Sequence, residues 1–298
     1  MYGITLSHDQ RWQMIATQTE KELLRQMAFI MELTPCGSNE DPKLLLASYD
    51  SNLKECLKTI AASYPNKATY RWKNSWKTYM APYLHQWYHP ALPDIICRVL
   101  PELNRERKIV ALCQALYPVY AGVIDSGGLP LHSALIERHG AGILLIGPGE
   151  TGKSTCCSRI PLPWRPLSDD ETLLVVNEKK QYLAHPFPTW SNHLLNRSDR
   201  RTWNVQRHIR LAAIFFLKQA DEDEVEPMGQ GQAAVGLNRS AVQILERYLR
   251  NVTPEEERKI RLKTIENACG FAQSIPAYTL RFTRTGAFWE EIEKVMTS

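Results

Sequence analysis

A glycine-rich segment near the middle of the chain carries the most specific chemistry in this sequence. Residues 147–154 read GPGETGKS and match G-x-x-x-x-G-K-[ST] at every fixed position. The glycines let successive backbone N–H groups face inward, where they and the start of a following helix attract phosphate oxygens. Lys153 supplies a positive charge to the β- and γ-phosphates, and the Ser154 hydroxyl can coordinate Mg²⁺. The predicted nucleotide contacts are Gly147, Pro148, Gly149, Glu150, Thr151, Gly152, Lys153, Ser154 and Thr155.

An acidic cluster follows the glycine-rich loop. Hydrolases, switches and kinases all share such a loop, so residues outside it must indicate which reaction takes place. Asp169, Asp170 and Glu171 stand at the entrance of a predicted strand, Leu173 to Val176, where they are well placed to face a triphosphate. A carboxylate there can hold Mg²⁺ directly or through water, or it can take the proton from an attacking hydroxyl. The alternative is a bare acidic turn without chemical function.

A single histidine precedes the loop on a predicted strand that leads toward the same edge. His132 lies in the apolar sequence LPLHSAL. A lone histidine in an apolar strand usually has a structural role, and a functional role at the edge of the sheet is the alternative.

The elements that must position these residues are strands alternating with helices. Leu129 to Glu137 and Gly142 to Ile146 are predicted strands joined by a turn at His139-Gly140, and the second is a continuous apolar run typical of an interior strand. The other predicted elements are strands at Leu173 to Val176, Leu211 to Leu217 and Tyr278 to Phe282, and helices at Ala241 to Leu249 and Phe288 to Met296. The expected fold class is therefore α/β.

The N-terminal part of the chain is predicted to be a separate mixed α/β domain for recognition or assembly. The breaker Ser126-Gly127-Gly128 places the boundary between residues 1–126 and residues 127–298, which hold the glycine-rich loop. Thr19 and Glu22 match a capping box. The predicted elements are a strand pair at Tyr2 to Leu6 and Trp12 to Ala16, a strand at Pro42 to Tyr49, and helices at Leu53 to Ala62 and Ile109 to Ile124.

Aromatic residues are concentrated between Tyr70 and His89. Trp72, Trp76, Tyr79, Tyr83 and Trp87 recur at steps of three and four, with Pro82 interrupting the series. This spacing favours a helix-packing stripe, and the alternative is an aromatic groove for a peptide partner.

Composition limits the classes of partner and compartment. The 298 residues carry a formal net charge of +4 with acids and bases interspersed, which argues against a nucleic-acid partner. The acidic run Asp221 to Glu226 is predicted to be a solvated loop. The chain shows no secretory signal, and no run approaches the roughly 18 apolar residues of a membrane span, so no membrane partner is expected. Seven cysteines without a CxxC pair favour neither a disulfide framework nor a zinc site, and they fit a reducing cytoplasm.

The segments LPLHSALIERHGAGILLIGPGETGKST and LSDDE resemble the HPr kinase/phosphorylase superfamily. That superfamily has a histidine on the strand before a glycine-rich G-K-S loop and an Asp-Asp pair about one helix later, and all three occur here in that order. The match covers Leu129 to about Val176, with a weaker likeness in IPAYTLRFTRTGAFWEEI. The whole chain is more similar to HPr-kinase-related proteins found beside peptide-modification genes. These include lasso-peptide kinases and the third protein of the SynChlorMet cassette.

The resemblance implies a P-loop core like those of HPr kinases and phosphoenolpyruvate carboxykinases. It implies a kinase that uses ATP and Mg²⁺ to phosphorylate a serine or threonine hydroxyl of a peptide or small protein, here a ribosomally made precursor peptide. Asp169 would be the base with His132 beside it, Asp170 would help hold the metal or the base, and Lys153 would hold the phosphates. Members often form oligomers, so a homo-oligomer is one expectation. An ATP-binding regulatory module with little or no transfer and a small-molecule kinase remain alternatives.

Overall fold

A computed structural model describes residues 1–6, 10–65, 75–194 and 203–296 of the chain. The chain forms two compact units, each assembled from separate stretches. Unit 1 comprises Met1–Val119, Thr189–Gln206 and Tyr248–Val252, and unit 2 comprises Tyr120–Pro188, Arg207–Arg247 and Thr253–Ser298. Two later segments thus return to the unit formed mainly by the N-terminal residues.

Strands and helices alternate through both units. The first elements in chain order are β1 (Tyr2–Thr5), β2 (Arg11–Ala16), a 3₁₀ turn (Gln18–Glu20), α1 (Lys21–Met31), β3 (Lys43–Ser48), α2 (Leu53–Ser63), β4 (Lys77–Ala81), β5 (Leu84–His89), β6 (Leu92–Val99), α3 (Arg105–Ala115) and α4 (Tyr117–Asp125). The following elements are β7 (Leu129–Leu131), β8 (Ser133–Arg138), β9 (Ala141–Ile146), α5 (Lys153–Arg159), β10 (Arg165–Ser168), β11 (Glu171–Val176), β12 (Tyr182–Phe187), α6 (Trp190–Leu194), β13 (Ile209–Gln219), β14 (Glu224–Pro227), α7 (Gln230–Leu249), α8 (Pro254–Ser274), β15 (Ala277–Phe282) and α9 (Phe288–Met296).

The sheet of unit 1 has the order β1-β2-β3-β6-β5-β4 among the described residues. The sheet is mixed. Its three central strands, β2, β3 and β6, are parallel to one another. The outer strands are antiparallel to their neighbours: β1 pairs with β2, β5 with β6, and β4 with β5. The helix α2 packs on it through Cys56, Leu57 and Ile60. The predicted pairing of β1 with β2, the strand β3 and the helix α2 are confirmed.

The described part of the aromatic region forms a β-hairpin from Lys77 to His89, and the prediction of a helix-packing stripe is wrong there. β4 and β5 pair antiparallel with Ala81 opposite Leu84, and Pro82 lies in the turn between them. Burial alternates along β4, since Tyr79 and Ala81 are buried while Met80 is exposed, which is the period of a strand. The aromatic residues occupy both faces of this hairpin. Their spacings of three and four residues are therefore compatible with a strand as well as with a helix. Trp72 lies outside the described residues.

The capping box predicted at Thr19 and Glu22 is also wrong. The helix α1 begins after Glu20 without a side-chain cap, because Gln18–Glu20 forms a 3₁₀ turn ahead of it. A capping box occurs instead at α2, where the Asn52 side chain accepts from the Glu55 backbone N–H and the Glu55 side chain accepts from Asn52.

The sheet of unit 2 is also mixed, with the order β10-β8-β9-β13-β12-β11-β7 and with β15 paired to β13 and β14. β9 lies between β8, which is antiparallel to it, and β13, which is parallel. The predicted interior position of β9 is therefore confirmed. The described part of the chain thus contains two mixed sheets with packed helices, which is an α/β fold.

Residues of β8 and β9 alternate between two apolar cores, one on each face of the unit 2 sheet. One face buries Leu135 and Leu144 against α7 and α8, which contribute Leu237 and Phe271. The opposite face buries neighbouring strand residues such as Ile143 against α5 and α9. A strand covered on both faces needs apolar residues at successive positions, which explains the uninterrupted Gly-Ile-Leu-Leu-Ile run. The glycine-rich segment therefore starts from a strand held on both sides.

One helical stretch in the described residues, Arg105–Asp125, is long and apolar enough to cross a membrane by length and composition. It is divided between α3 and α4, and 61% of its most apolar window is buried inside the protein. The core helix of a globular protein has the same properties, so this stretch is weak support for a membrane span.

Candidate phosphate-binding site

The segment Gly147–Gly152, called the glycine loop below, joins the end of β9 to the start of α5. Gly152 has a φ of 115°, a conformation that residues with a side chain rarely adopt, and a Cβ there would lie 3.0 Å from Phe282 Cζ. Within the loop, the Thr151 hydroxyl donates to the Pro148 carbonyl at 2.8 Å. Gln219, at the end of β13, donates from Nε2 to the Thr151 carbonyl at 3.1 Å. The loop is thus fixed both internally and from the neighbouring strand.

Lys153 lies under the glycine loop and is buried, with 6% of its surface exposed. Its Nζ donates to the carbonyl oxygens of Gly147 at 2.8 Å and of Pro148 at 3.1 Å. Burial lowers the pKa of Lys153, and the negative charges of Asp170 and Asp169 oppose that shift. A cation held beneath a turn of backbone by two carbonyl groups, and facing two carboxylates, is available to neutralise an anion that enters the loop.

The pairing register of the sheet brings the histidine to the acidic residues. Leu131 of β7 lies opposite Thr172 of β11, and Leu135 of β8 lies opposite Ser168 of β10. His132, between β7 and β8, is therefore beside the bend at Asp169 and Asp170 between β10 and β11, which we call the acidic bend. His132 Nδ1 lies 3.2 Å from Asp170 Oδ1. The His132 backbone is also attached to α7, since its carbonyl accepts from the Ser240 hydroxyl at 3.1 Å.

The same register brings the glycine loop to this point. Ser133 pairs with Ile146, the last residue of β9, so the loop begins next to His132. The structure thus groups Lys153, His132 and the acidic bend at one edge of the unit 2 sheet. The hydroxyl-bearing residues Ser154 and Thr155 are exposed at the start of α5. Asp170 is partly exposed, with 32% of its side chain accessible, and it can therefore meet a ligand from solvent.

Glu171 is a further charged residue at this edge whose environment the sequence did not reveal. It is buried, with 4% of its surface exposed. Burial raises the pKa of Glu171 to about 8; a hydrogen bond from Tyr120 opposes the shift and the charge of Asp170 adds to it. Glu171 is consequently a neutral acid at neutral pH, directly behind the acidic bend. The one sequence signal for this burial was the position of Glu171 directly before the apolar residues of β11.

The donor set at this edge fits Mg²⁺ by its chemistry. Carboxylate and hydroxyl oxygens are the ligands that Mg²⁺ prefers, and Ser154 and Asp170 supply one of each. No group of three or more His, Cys, Asp or Glu side chains that could hold a metal by itself is found in the described residues.

The cysteines lie apart from this chemistry. All seven fall in the described part of the chain, and all are free thiols. Cys156 and Cys157 are buried in α5 against the strands, and burial raises the pKa of Cys156 to about 12. The adjacent pair therefore serves the packing of α5 behind the glycine loop.

Comparison with known proteins identifies the family. The family model described as SynChlorMet cassette protein ScmC matches residues 95–297, which is more than half of the chain, and the chain belongs to this family. The similarity to the third protein of the SynChlorMet cassette, which the sequence indicated, is thereby confirmed. The matched range contains the glycine loop, the acidic bend and His132. No curated protein matches the chain.

Proposed function

We propose that this protein is a cytoplasmic P-loop kinase of the HPr-kinase-like superfamily, which transfers the γ-phosphoryl group of ATP to a serine or threonine hydroxyl of a peptide. The observation that carries the proposal is the convergence of Lys153, Asp170 and His132 at the glycine loop. A phosphate loop by itself serves many reactions, whereas a carboxylate pair beside it suits transfer to a hydroxyl.

The glycine loop would bind the triphosphate. The loop amides donate to phosphate oxygens, and Lys153 exchanges its two carbonyl acceptors, Gly147 and Pro148, for the β- and γ-phosphates. Ser154 and Asp170 would hold Mg²⁺, which when bound supplies positive charge to the phosphate oxygens. Lys153 is already buried beside the loop, so the change at this residue is the exchange of these two hydrogen bonds.

The acidic bend would act on the acceptor. The oxygen of the acceptor hydroxyl forms a bond to the γ-phosphorus, and Asp169 accepts the proton of that hydroxyl. The bond between the γ-phosphorus and the β–γ bridging oxygen breaks at the same time, which releases ADP. His132 is held through Ser240 and keeps the Asp170 carboxylate in position, 3.2 Å from its Nδ1. Transfer in this scheme depends mainly on positioning and on charge stabilisation.

The acceptor class follows from the family rather than from the geometry of the site. Membership of the SynChlorMet cassette family supports a role in peptide modification, and a ribosomally made precursor peptide is therefore the acceptor we propose. Neither a nucleic acid nor a membrane is part of the proposal.

Incubation with Mg²⁺, γ-labelled ATP and a precursor peptide encoded nearby tests this function. Label should appear on a serine or threonine of the peptide, as located by mass spectrometry. Asp169→Asn should abolish transfer but leave ATP affinity, measured by calorimetry, within about threefold, because a proton acceptor acts on the barrier and not on nucleotide binding. The matched control Glu222→Gln removes an exposed carboxylate of the same unit and should transfer normally.

Four results would contradict this proposal or a part of it. Loss of ATP binding in Asp169→Asn would assign that carboxylate to the metal. ATP binding without labelled peptide would favour a regulatory module, and a phosphorylated metabolite would favour a small-molecule kinase. A wild-type protein that binds no ATP would refute the nucleotide site itself.

A further inference from the structure

A cavity of about 670 Å³ lies against the outer side of the glycine loop. Thr151 and Thr155 form one wall, and residues that follow the ends of β13 and β15 form the other. Asp221 and Arg284 bring charged groups to this second wall, and both are exposed. The volume lies within the roughly 300–1,000 Å³ that is usual for small-molecule sites.

We propose that this cavity binds the nucleoside part of a nucleoside triphosphate whose phosphates occupy the glycine loop. The inference rests on the proposed function, because it takes the loop to be a phosphate site. It adds to that function a second region of contact, in which residues at the ends of β13 and β15 face the glycine loop across the cavity.

The order of strands sets the direction of the nucleotide. β9, which leads into the glycine loop, has β8 and the acidic bend on one side and β13 with β15 on the other. The γ-phosphate must lie toward Asp169 for transfer, so the opposite end of the molecule points toward β13 and β15. The cavity is located there, at the ends of two parallel strands, where ligands of α/β sheets commonly bind.

The walls offer complementary chemistry for a nucleoside. The Asp221 carboxylate accepts hydrogen bonds from base amines or ribose hydroxyls, and the planar guanidinium of Arg284 can stack on a base. Phe282 is buried behind Gly152 and provides an apolar surface. Gln219 links the two walls, because its Nε2 donates to the Thr151 carbonyl at 3.1 Å. The cavity is therefore attached to the glycine loop.

Asp223 makes the β15 side of this cavity rigid. Its Oδ1 accepts from the Thr283 backbone N–H at 2.6 Å, which fixes the residue immediately before Arg284. Arg159 of α5 donates to the Thr283 carbonyl at 3.1 Å. The segment that carries Arg284 is thus held from both α5 and the acidic run, so the cavity exists before any ligand binds.

The test compares the affinity of the full chain for MgATP and for Mg tripolyphosphate, which has the phosphates but no nucleoside. Wild-type protein should bind MgATP at least about tenfold more tightly, the effect of one good hydrogen bond or stacking contact. Asp221→Ala should reduce that preference to about threefold or less by weakening MgATP. It should leave tripolyphosphate binding unchanged or slightly tighter, because it removes a negative charge near the phosphates.

Glu222→Ala is the matched control, since it removes a neighbouring exposed carboxylate that does not line the cavity. It should keep the wild-type preference. Equal affinity of wild-type protein for the two probes, or an unchanged preference in Asp221→Ala, would overturn the nucleoside site and leave the phosphate site intact. Binding of neither probe by wild-type protein would overturn the phosphate site and this inference together.

Discussion

The pH dependence of stability offers a direct test of the buried acid behind the acidic bend. Glu171 has a pKa raised from 4.5 to about 8 in the folded protein, mainly by burial. Between these two values the unfolded chain releases the proton while the folded chain keeps it, so the free energy of unfolding falls as pH rises. Above the folded pKa the fall stops. The substitution Glu171→Gln replaces the neutral acid by a group of similar shape that does not titrate.

The magnitude follows from linkage. Between the unfolded and the folded pKa, the free energy of unfolding falls by up to about 1.4 kcal/mol for each pH unit. From about pH 5 to about pH 7, Glu171 therefore lowers the free energy of unfolding by about 2.5 kcal/mol. The difference between Glu171→Gln and wild type should therefore grow by about 2.5 kcal/mol in favour of the variant over that range. Other titrating groups are common to both proteins and cancel in the difference.

Hydrogen exchange of the β11 backbone amides, followed by mass spectrometry, measures the relevant free energy because β11 belongs to unit 2 alone. The buffer should contain a chelator, since a cation at Asp170 would lower the pKa of Glu171. Glu222→Gln is the control, because it removes an exposed acid and should differ from wild type by a constant of at most about 0.5 kcal/mol. A Glu171→Gln difference that is equally constant with pH would refute the assignment of a neutral buried acid.

Two further predictions concern the glycine loop. Lys153→Met should lower the affinity for MgATP at least about tenfold, and so remove most of the rise in unfolding temperature that MgATP produces. It should change the stability of the ligand-free protein by no more than about 1 kcal/mol, because it deletes a charge that is costly to bury. A variant that still responds to MgATP as wild type does would remove Lys153 from the site. Gly152→Ala should destabilise the protein by about 1–3 kcal/mol in thermal unfolding, because it combines a φ of 115° with a 3.0 Å contact to Phe282. Gly231→Ala, in α7 with open space around the position, should be neutral or slightly stabilising, and equal effects of the two alanines would contradict the strain argument.

Strands and helices were predicted correctly where the apolar residues of a short segment follow one clear pattern. The apolar run before the glycine loop required an interior strand, and β9 has a strand on each side. The helix α9 at Phe288–Met296 and the strand β15 were also predicted from their apolar spacing. The helix α7 starts at Gln230, well before the predicted Ala241, because its first turns are rich in small residues that show little periodicity. The long helix α8 was not predicted, since its N-terminal half is dominated by charged residues with a weak apolar face.

Tertiary structure decided two points that local patterns could not. Aromatic residues at Tyr79 and Trp87 fitted a helical spacing, yet pairing of β5 with β6 made the region a hairpin, because hydrogen bonds to a neighbouring strand outweigh weak local preference. The predicted solvated loop at Asp221 to Glu226 is partly structural, since Glu226 pairs with Arg281 on β15 and residues 224–227 form a strand.

The sequence by itself determined which groups could do chemistry, because the glycine loop, Lys153 and the acidic bend are contiguous or nearly contiguous segments whose chemistry depends on residue type and short spacing. Only the tertiary structure decided which of them meet. The contact of His132 with Asp170 depends on the register of four strands, and the burial of Glu171 depends on the packing around β11. The cavity beside the glycine loop likewise depends on the parallel pairing of β13 with β15. Long-range register and desolvation are properties of the assembled sheet, so no window of the sequence contains them.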